Sequence, residues 1–171
     1  SPEVSHRSLP SPGVEILSAL FVDNVDLRPA EGGTSRIDLT GVQFSDCSKL
    51  GAAEFKLIGQ FKQLKSLVMY GSCKGLNDET LASLSGLSLL DELGIDGMTL
   101  GDEGFKHFTA LTNLRSLSLF HPSWNFKAFT GAGLSHLKEL PKLEKLTFAG
   151  STAGDVALES VGQLTQLKDF R

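Results

Sequence analysis

Residues 102–119 of the chain read DEGFKHFTALTNLRSLSL, and their apolar side chains follow one regular spacing. Five of the apolar residues are three positions apart, and a sixth follows two positions later. These six residues are Phe105, Phe108, Leu111, Leu114, Leu117 and Leu119. The first half has helical spacing, whereas the end alternates as in a β-strand. The stretch therefore predicts a short helix followed by a short strand, with both apolar sides turned toward one interior.

The same spacing recurs in five copies along the chain. Their equivalent strand residues are Leu67, Leu93, Leu117, Leu146 and Phe170. The steps between them are 26, 24, 29 and 24 residues, and leucine-rich repeats have periods of about 20–29 residues. A single helix–strand unit, or coil, cannot bury its apolar side alone, so neighbouring coils must stack. We therefore predict an α/β leucine-rich-repeat solenoid with a short parallel concave sheet and convex helices.

Turn and cap residues support this register. Glycine lies two positions after the last apolar strand residue at Gly41, Gly71, Gly97 and Gly150. Glycine at such a place permits a tight or left-handed turn. Aspartate lies three positions before the first apolar helical residue at Asp78, Asp102 and Asp155, with Gly131 in the remaining copy. We expect these aspartates to be helix N-caps.

The pattern weakens before the first full copy. Residues 36–41 are predicted to form the first strand, because Ile37 and Leu39 match Leu67 and Met69 in their spacing.

The domain organisation follows from this assignment. A short helix over 14–21 and an alternating strand over 22–27 predict an N-terminal helix/strand cap at residues 14–35, since an open solenoid end exposes apolar surface. Residues 1–13 contain three prolines and are predicted to be a flexible tail. The repeat domain then covers residues 14–171, with five to six repeats after the cap.

The segment Asp102–Leu119 resembles a bacterial class of leucine-rich repeats that is common in planctomycete proteins, with the pattern D-x-G-L-x-x-L-x-x-L-x-x-L-x-x-L-x-L. Residues 78–81 and 155–158 are close variants, and residues 37–46 resemble the start of such arrays after a cap. The resemblance covers residues 14–171 and implies a right-handed horseshoe with a role in protein interaction. It departs from other leucine-rich repeats because their asparagine or cysteine ladder is absent at the positions taken as equivalent. These are Val42, Ser72, Met98, Pro122 and Ser151.

Composition narrows the range of partners. Of the 171 residues, 40% are hydrophobic and 21% are charged, which is typical of a folded chain. The net charge of -4 disfavours nucleic acid, which needs a basic surface. No apolar run approaches the roughly 20 residues needed for membrane insertion. The sequence leaves the cellular location undetermined and favours a secreted or periplasmic location over a cytoplasmic one.

No motif in the sequence indicates an enzyme, a cofactor or a metal. A nucleophile elbow, a P-loop, HExxH and a dinucleotide-binding glycine run are all missing. His107 and His136 occupy equivalent positions of adjacent copies, but no third ligand completes a metal set, so we expect solvated side chains. Cys47 and Cys73 lie in comparable loops of adjacent coils. They either form a disulfide or remain free thiols, and the different loop lengths favour free thiols.

The longest step contains an insertion with the only tryptophan. After Leu119, His121-Pro122 replaces the turn glycine, and the 121–130 loop adds five residues relative to the 24-residue step. Long loops on rigid scaffolds often carry binding residues, and tryptophan is a common interface anchor. The alternative is that its aromatic residues, above all Phe126 and Phe129, fill the edge of the core.

The strand residues between the buried positions predict the concave face. They are mixed in charge, small at the centre and include two aromatic residues. The set comprises Arg36, Asp38, Thr40, Ser66, Val68, Tyr70, Glu92, Gly94, Asp96, Ser116, Ser118, Phe120, Lys145, Thr147 and Ala149. Such a face suits a protein or peptide ligand better than a polyanion or a lipid.

We therefore predict a monomeric, non-catalytic protein–protein interaction module that binds a protein or peptide through the concave face and the 121–130 loop. The expected binding residues are Tyr70, Glu92, Asp96, Phe120, His121 and Trp124. The alternative is a structural spacer or repeat-array fragment of a larger extracytoplasmic protein, with no discrete ligand.

Overall fold

The computed structural model of the chain describes residues 25–29, 39–120, 128–150 and 154–171. The predicted tail, the predicted helix over 14–21, and the loop residues His121, Trp124 and Phe126 lie outside these ranges. So do Arg36 and Asp38 of the predicted first strand.

The described strands form one seven-stranded sheet in which spatial order equals chain order. They are β1 (Val25–Pro29), β2 (Leu39–Phe44), β3 (Ser66–Met69), β4 (Glu92–Asp96), β5 (Ser116–Phe120), β6 (Lys145–Ala149) and β7 (Asp169–Phe170). The edge strand β1 pairs antiparallel with β2, and all the other pairs are parallel. Consecutive parallel neighbours require a crossover after every strand. This is the arrangement of stacked coils that the repeat predicted.

Short helices form the crossovers between the parallel strands. They are α1 (Ala52–Ile58), α2 (Asp78–Leu81) with a 3₁₀ turn at Ala82–Leu84, 3₁₀ helices at Asp102–Ala110 and Ala132–Glu139, and α3 (Asp155–Gly162). The 3₁₀ form follows from the sequence, because a three-residue apolar spacing matches three residues per turn and keeps every apolar side chain on one side. Phe105 and Phe108, for instance, are both fully buried.

The predicted core column is confirmed. Leu67, Leu93, Leu117 and Leu146 are direct register partners on adjacent parallel strands, and each is at most 1% exposed.

The predicted register of the first strand is wrong by five residues. Val42, not Ile37, pairs with Leu67, and Phe44 pairs with Met69. Two alternating apolar pairs compete in this stretch, and the later pair places the larger Phe44 side chain in the core, where it is fully buried. Gly41 consequently lies inside β2 rather than in a turn.

The other turn glycines behave as predicted. Gly71, Gly97 and Gly150 have φ values of 76°, 69° and 73°, in the left-handed region that favours glycine. At Gly97 a side chain is also excluded by space, because a Cβ atom would come within 2.8 Å of the Ser72 Cα atom.

The aspartates are not the N-caps that the spacing predicted. The cap positions belong to Asn77, Gly101 and Gly154, and each aspartate is the first residue inside its helix. From there the side chain reaches the following coil. The Asp78 carboxylate accepts a hydrogen bond from the Gly101 backbone N–H at 2.7 Å.

Asp102 contacts the following coil in the same way as Asp78 but through more hydrogen bonds. Its carboxylate accepts from the backbone N–H groups of Thr130, Gly131 and Gly133 at 3.0–3.2 Å, and from the Thr130 hydroxyl at 2.6 Å. Partial burial raises the pKa of the Asp102 carboxyl, but these hydrogen bonds outweigh it and hold the pKa below its ordinary value. A Cβ atom on Gly133 would lie 2.6 Å from the Asp102 Cα atom. The glycine of the D-x-G pattern therefore lets adjacent coils approach.

The two cysteines are buried and free, as favoured from the sequence. The N–H of Cys47 donates to the Tyr70 carbonyl at 2.9 Å, and that of Cys73 donates to the Asp96 carbonyl at 2.7 Å. A hydrogen bond with the Cys73 thiol, together with burial, raises the pKa of the Cys47 thiol. Cys47 and Cys73 thus make equivalent backbone contacts with the next coil, and Cys73 follows Ser72, which has a left-handed φ of 68°.

Burial of both thiols, together with the raised pKa of Cys47, predicts unreactive thiols in the native protein. A thiol-titrating reagent at neutral pH should detect almost no groups in the folded chain and two per chain in denaturant without reductant. Fewer than two groups in denatured, monomeric protein would contradict free thiols at Cys47 and Cys73.

Candidate interaction surface

The outward side of the parallel sheet, here called the outer face, consists of three rows that cross the strands. The first row contains Ser66, Glu92, Ser116, Lys145 and Asp169. The second contains Gln43, Val68, Gly94, Ser118 and Thr147. The third contains Tyr70, Asp96, Phe120 and Ala149. Gln43 pairs with Val68 and so takes the place that was predicted for Asp38.

The third row places an acid between two aromatic residues. Asp96 is the direct partner of Phe120, and both are half-buried. Tyr70 continues the β3 strand, because its N–H donates to the Phe44 carbonyl at 2.9 Å and its carbonyl accepts from Cys47. The Tyr70 side chain is 44% exposed. Adjacent strands are about 4.8 Å apart, so Tyr70 and Phe120 lie on either side of Asp96.

Gly94 lies beside this row in the second row and is buried. A Cβ atom at Gly94 would touch the Val68 side chain at 3.4 Å, and Ser118 is its partner on the other side.

Glu92 is separate from that row. It lies at the opposite end of β4, four residues from Asp96, which is about 13 Å in an extended strand. Its carboxylate accepts a hydrogen bond from the Ser66 hydroxyl at 2.8 Å. Of the predicted binding residues, the sheet therefore brings together Tyr70, Asp96 and Phe120 but not Glu92.

Phe129, at the end of the predicted binding loop, belongs to the edge of the core. Its ring stacks on Phe105 with a centroid distance of 5.6 Å and lies 5.8 Å from the Phe148 ring. The core-filling alternative is therefore confirmed for Phe129.

The N-terminal ends of the strands carry a feature that the sequence analysis missed. The residue just before the first row alternates in charge over five successive coils, forming a charge ladder. Its members are Lys65, Asp91, Arg115, Glu144 and Lys168. The signal was available, but it appears only when equivalent positions of different copies are compared.

Ion pairs join the last four members of the charge ladder, from Asp91 to Lys168. The Arg115 guanidinium lies 3.2 Å from Asp91 and 3.7 Å from Glu144, and the Lys168 ammonium lies 2.9 Å from Glu144. The hydrogen bond from Lys168 and the neighbouring positive charges hold the pKa of Glu144 below its ordinary value. The ladder thus adds side-chain contacts to the backbone bonds between coils.

The histidines and acids do not assemble a metal centre in the ranges that the structure describes. His107 and His136 are half-exposed on the adjacent 3₁₀ helices. No group of three histidine, cysteine, aspartate or glutamate side chains in those ranges is placed to hold a metal ion. Over the same residues, no helix combines the length and apolar character needed to cross a bilayer.

Two internalins are among the distant structural neighbours of the chain. No protein-family model and no curated protein matches the chain. Internalin C2 from Listeria monocytogenes shares 18% identity, with a TM-score of 0.43, over 68% of this chain and 54% of the internalin. Internalin F from the same organism also shares 18% identity, with a TM-score of 0.43, over 77% of this chain and 46% of the internalin. The chain thus spans about half the length of these proteins, and its assignment as a solenoid of leucine-rich coils rests on its own strand order and register.

Proposed function

We propose that the chain is a non-catalytic protein-interaction module that binds a protein or peptide through the outer face and the 121–130 loop. The observation that carries this proposal is the row in which Tyr70 and Phe120 flank Asp96. Partly exposed aromatic side chains supply much of the binding energy at protein interfaces. Their place on hydrogen-bonded strands leaves little backbone freedom to lose on binding.

The composition of the outer face also favours this role. Its rows combine serine, threonine and glycine with three carboxylates, Glu92, Asp96 and Asp169, so they offer contact area and hydrogen bonds. Solenoids use the concave side of the sheet as an extended binding surface. We infer that the outer face is this concave side, and that β1 is part of a cap at residues 14–35. The monomeric state is part of the same proposal.

The experiment is to select ligands from a displayed random-peptide library on the immobilised chain. Affinities and melting temperatures are then compared for Tyr70→Ala, Phe120→Ala and Trp124→Ala. We expect each variant to weaken the selected peptides at least tenfold, because a hot-spot side chain contributes about 2 kcal/mol or more. Melting temperatures should change by only about 2–3 °C. Phe170→Ala is the matched control, since Phe170 is 43% exposed but lies outside the three rows.

Two outcomes would contradict the proposal. If all three variants bind the selected peptides as tightly as the wild type does, neither the outer face nor the 121–130 loop is the binding site. A large loss of stability from Trp124→Ala would mean that Trp124 is core filling, as Phe129 is.

A structural spacer in a longer array is the second candidate. The apolar side of the last coil is open, with Leu158 at 62% and Phe170 at 43% exposure around a cavity of about 170 Å³. Such a surface suits the stacking of a further coil. A spacer role predicts that library selection on the outer face enriches no sequence.

A further inference from the structure

Leu89 is apolar at a position that is polar in the other copies of the repeat. It occupies the position two residues before the charge ladder, and the equivalent residues are all polar. These are Gln63, Asn113, Lys142 and Gln166. Leu89 is nevertheless 42% exposed, so burial in the core does not explain an apolar residue at this place.

The polar residues at this position tie neighbouring coils together. Asn113 donates to the Ser88 carbonyl at 2.7 Å, Lys142 donates to the Asn113 side-chain oxygen at 2.6 Å, and Gln166 donates to the Leu137 carbonyl at 3.0 Å. A leucine forms no such bond and leaves apolar surface in water, which is unfavourable by about 25 cal/mol per Å². Leu89 therefore gives up an inter-coil hydrogen bond while much of its apolar surface stays in contact with solvent.

Leu89 lies in a groove that runs across four coils. The groove has a volume of about 450 Å³, with Lys65 at one end and Lys142 at the other. Its two acids already have partners, since Asp91 pairs with Arg115 at 3.2 Å and Glu92 accepts from Ser66 at 2.8 Å.

The two terminal lysines retain binding capacity. In the described residues Lys65 forms no ion pair, and the Lys142 ammonium contacts only a neutral amide oxygen. Both lysines are exposed. The groove thus presents an apolar side chain between two lysines that form no ion pair in the described part of the chain.

We propose that this groove binds an extended peptide segment with the pattern acid–x–apolar–x–acid. Measured across the coils, Lys65 and Lys142 are separated by three strand spacings, which is about 14 Å, and Leu89 lies on the coil next to that of Lys65. In an extended peptide, residues i, i+2 and i+4 face one side and span about 13 Å. The two acids then meet the two lysines, and the middle apolar side chain covers Leu89.

This groove shares Ser66 and Glu92 with the first row of the outer face, but it does not include the row of Tyr70, Asp96 and Phe120 that carries the proposed function. It lies at the N-terminal ends of the strands, whereas Tyr70, Asp96 and Phe120 lie at the C-terminal ends. Variants at Leu89 and at Tyr70 therefore test the two proposals separately.

The direct test uses a fluorescently labelled peptide, acetyl-SESLSES-amide, and measures its anisotropy with the full chain at low salt. We expect saturable binding that weakens at least fivefold when both Glu residues are replaced by Gln, or when Leu is replaced by Ser. Added salt should weaken it as well, because the lysines are exposed and screened. Absence of binding, or equal binding of the uncharged peptide, overturns the proposal.

Protein variants locate the peptide. Leu89→Gln installs the residue found at positions 63 and 166 and should fold normally, yet weaken binding at least fivefold. Lys65→Gln and Lys142→Gln should act similarly. Leu158→Gln makes the same change at an exposed leucine outside the groove and should leave affinity unchanged.

Any of three results would overturn this assignment. The first is that Leu89→Gln binds the peptide with the affinity of the wild type, and the second is that Leu158→Gln weakens binding as much as Leu89→Gln does. The third is that Tyr70→Ala weakens binding whereas Leu89→Gln does not. The last result would place the peptide on the row of Tyr70, Asp96 and Phe120.

Discussion

Replacing Leu117 with alanine is expected to lower the free energy of unfolding by about 2–5 kcal/mol. Leu117 is fully buried between its register partners Leu93 and Leu146. Backbone hydrogen bonds fix the strand spacing on both sides, so the coils cannot close around the smaller side chain. The lost burial and the residual cavity therefore both contribute. Urea denaturation followed by circular dichroism measures the change.

The matched control is Leu158→Ala. It removes the same atoms from a side chain that is 62% exposed, and it should change the free energy by less than about 0.5 kcal/mol. A loss below about 1 kcal/mol for Leu117→Ala would show that the column of leucines is not the stabilising core of the stack.

Replacing Asp102 with alanine is expected to cost about 2 kcal/mol at neutral pH. The substitution removes a carboxylate that accepts from three backbone N–H groups and one hydroxyl of the following coil. Partial exposure lets water replace some of these bonds, so the individual energies do not add. Asp155→Ala is the control, because Asp155 occupies the same repeat position and its carboxylate forms no hydrogen bond among the described residues.

The loss of stability caused by Asp102→Ala should become smaller as the pH falls. The folded pKa of Asp102 lies below its ordinary value, so its ionised form stabilises the fold. This contribution is complete above the unfolded pKa of about 3.9 and is lost as the pH falls through the lower folded pKa. The difference between wild type and variant should therefore shrink from pH 6 to pH 2–3 in urea titrations. A difference that grows toward acid pH would contradict this inter-coil contact.

The buried columns of the fold were predictable because they repeat along the chain. Leu93 and Leu117 occupy the same place in their copies, and one register accounts for both. The first strand was mispredicted where two alternating pairs, Ile37/Leu39 and Val42/Phe44, fit equally well. Only the burial of Phe44 separates them, and burial depends on the neighbouring coil.

Interactions between coils were much harder to predict than positions within a coil. Spacing along the chain placed Asp102 near a helix start, but it gave no distance to Gly133 of the next coil. The adjacency of Tyr70, Asp96 and Phe120 followed from strand register, so this part of the candidate site was accessible. Leu89 was overlooked because an extra leucine beside Leu87 and Leu90 looks like core until its exposure is known.

The alternating signs of the charge ladder restrict how the number of coils can change. Its signs alternate from Lys65 to Lys168, so deletion of one internal coil would bring two like charges into adjacent coils. Loss of the coil that carries Asp91, for example, would place Lys65 beside Arg115. Deletion or duplication of two consecutive coils would preserve the alternation. Gain or loss of two coils at a time therefore keeps opposite charges in adjacent coils, whereas gain or loss of a single coil requires a compensating charge reversal.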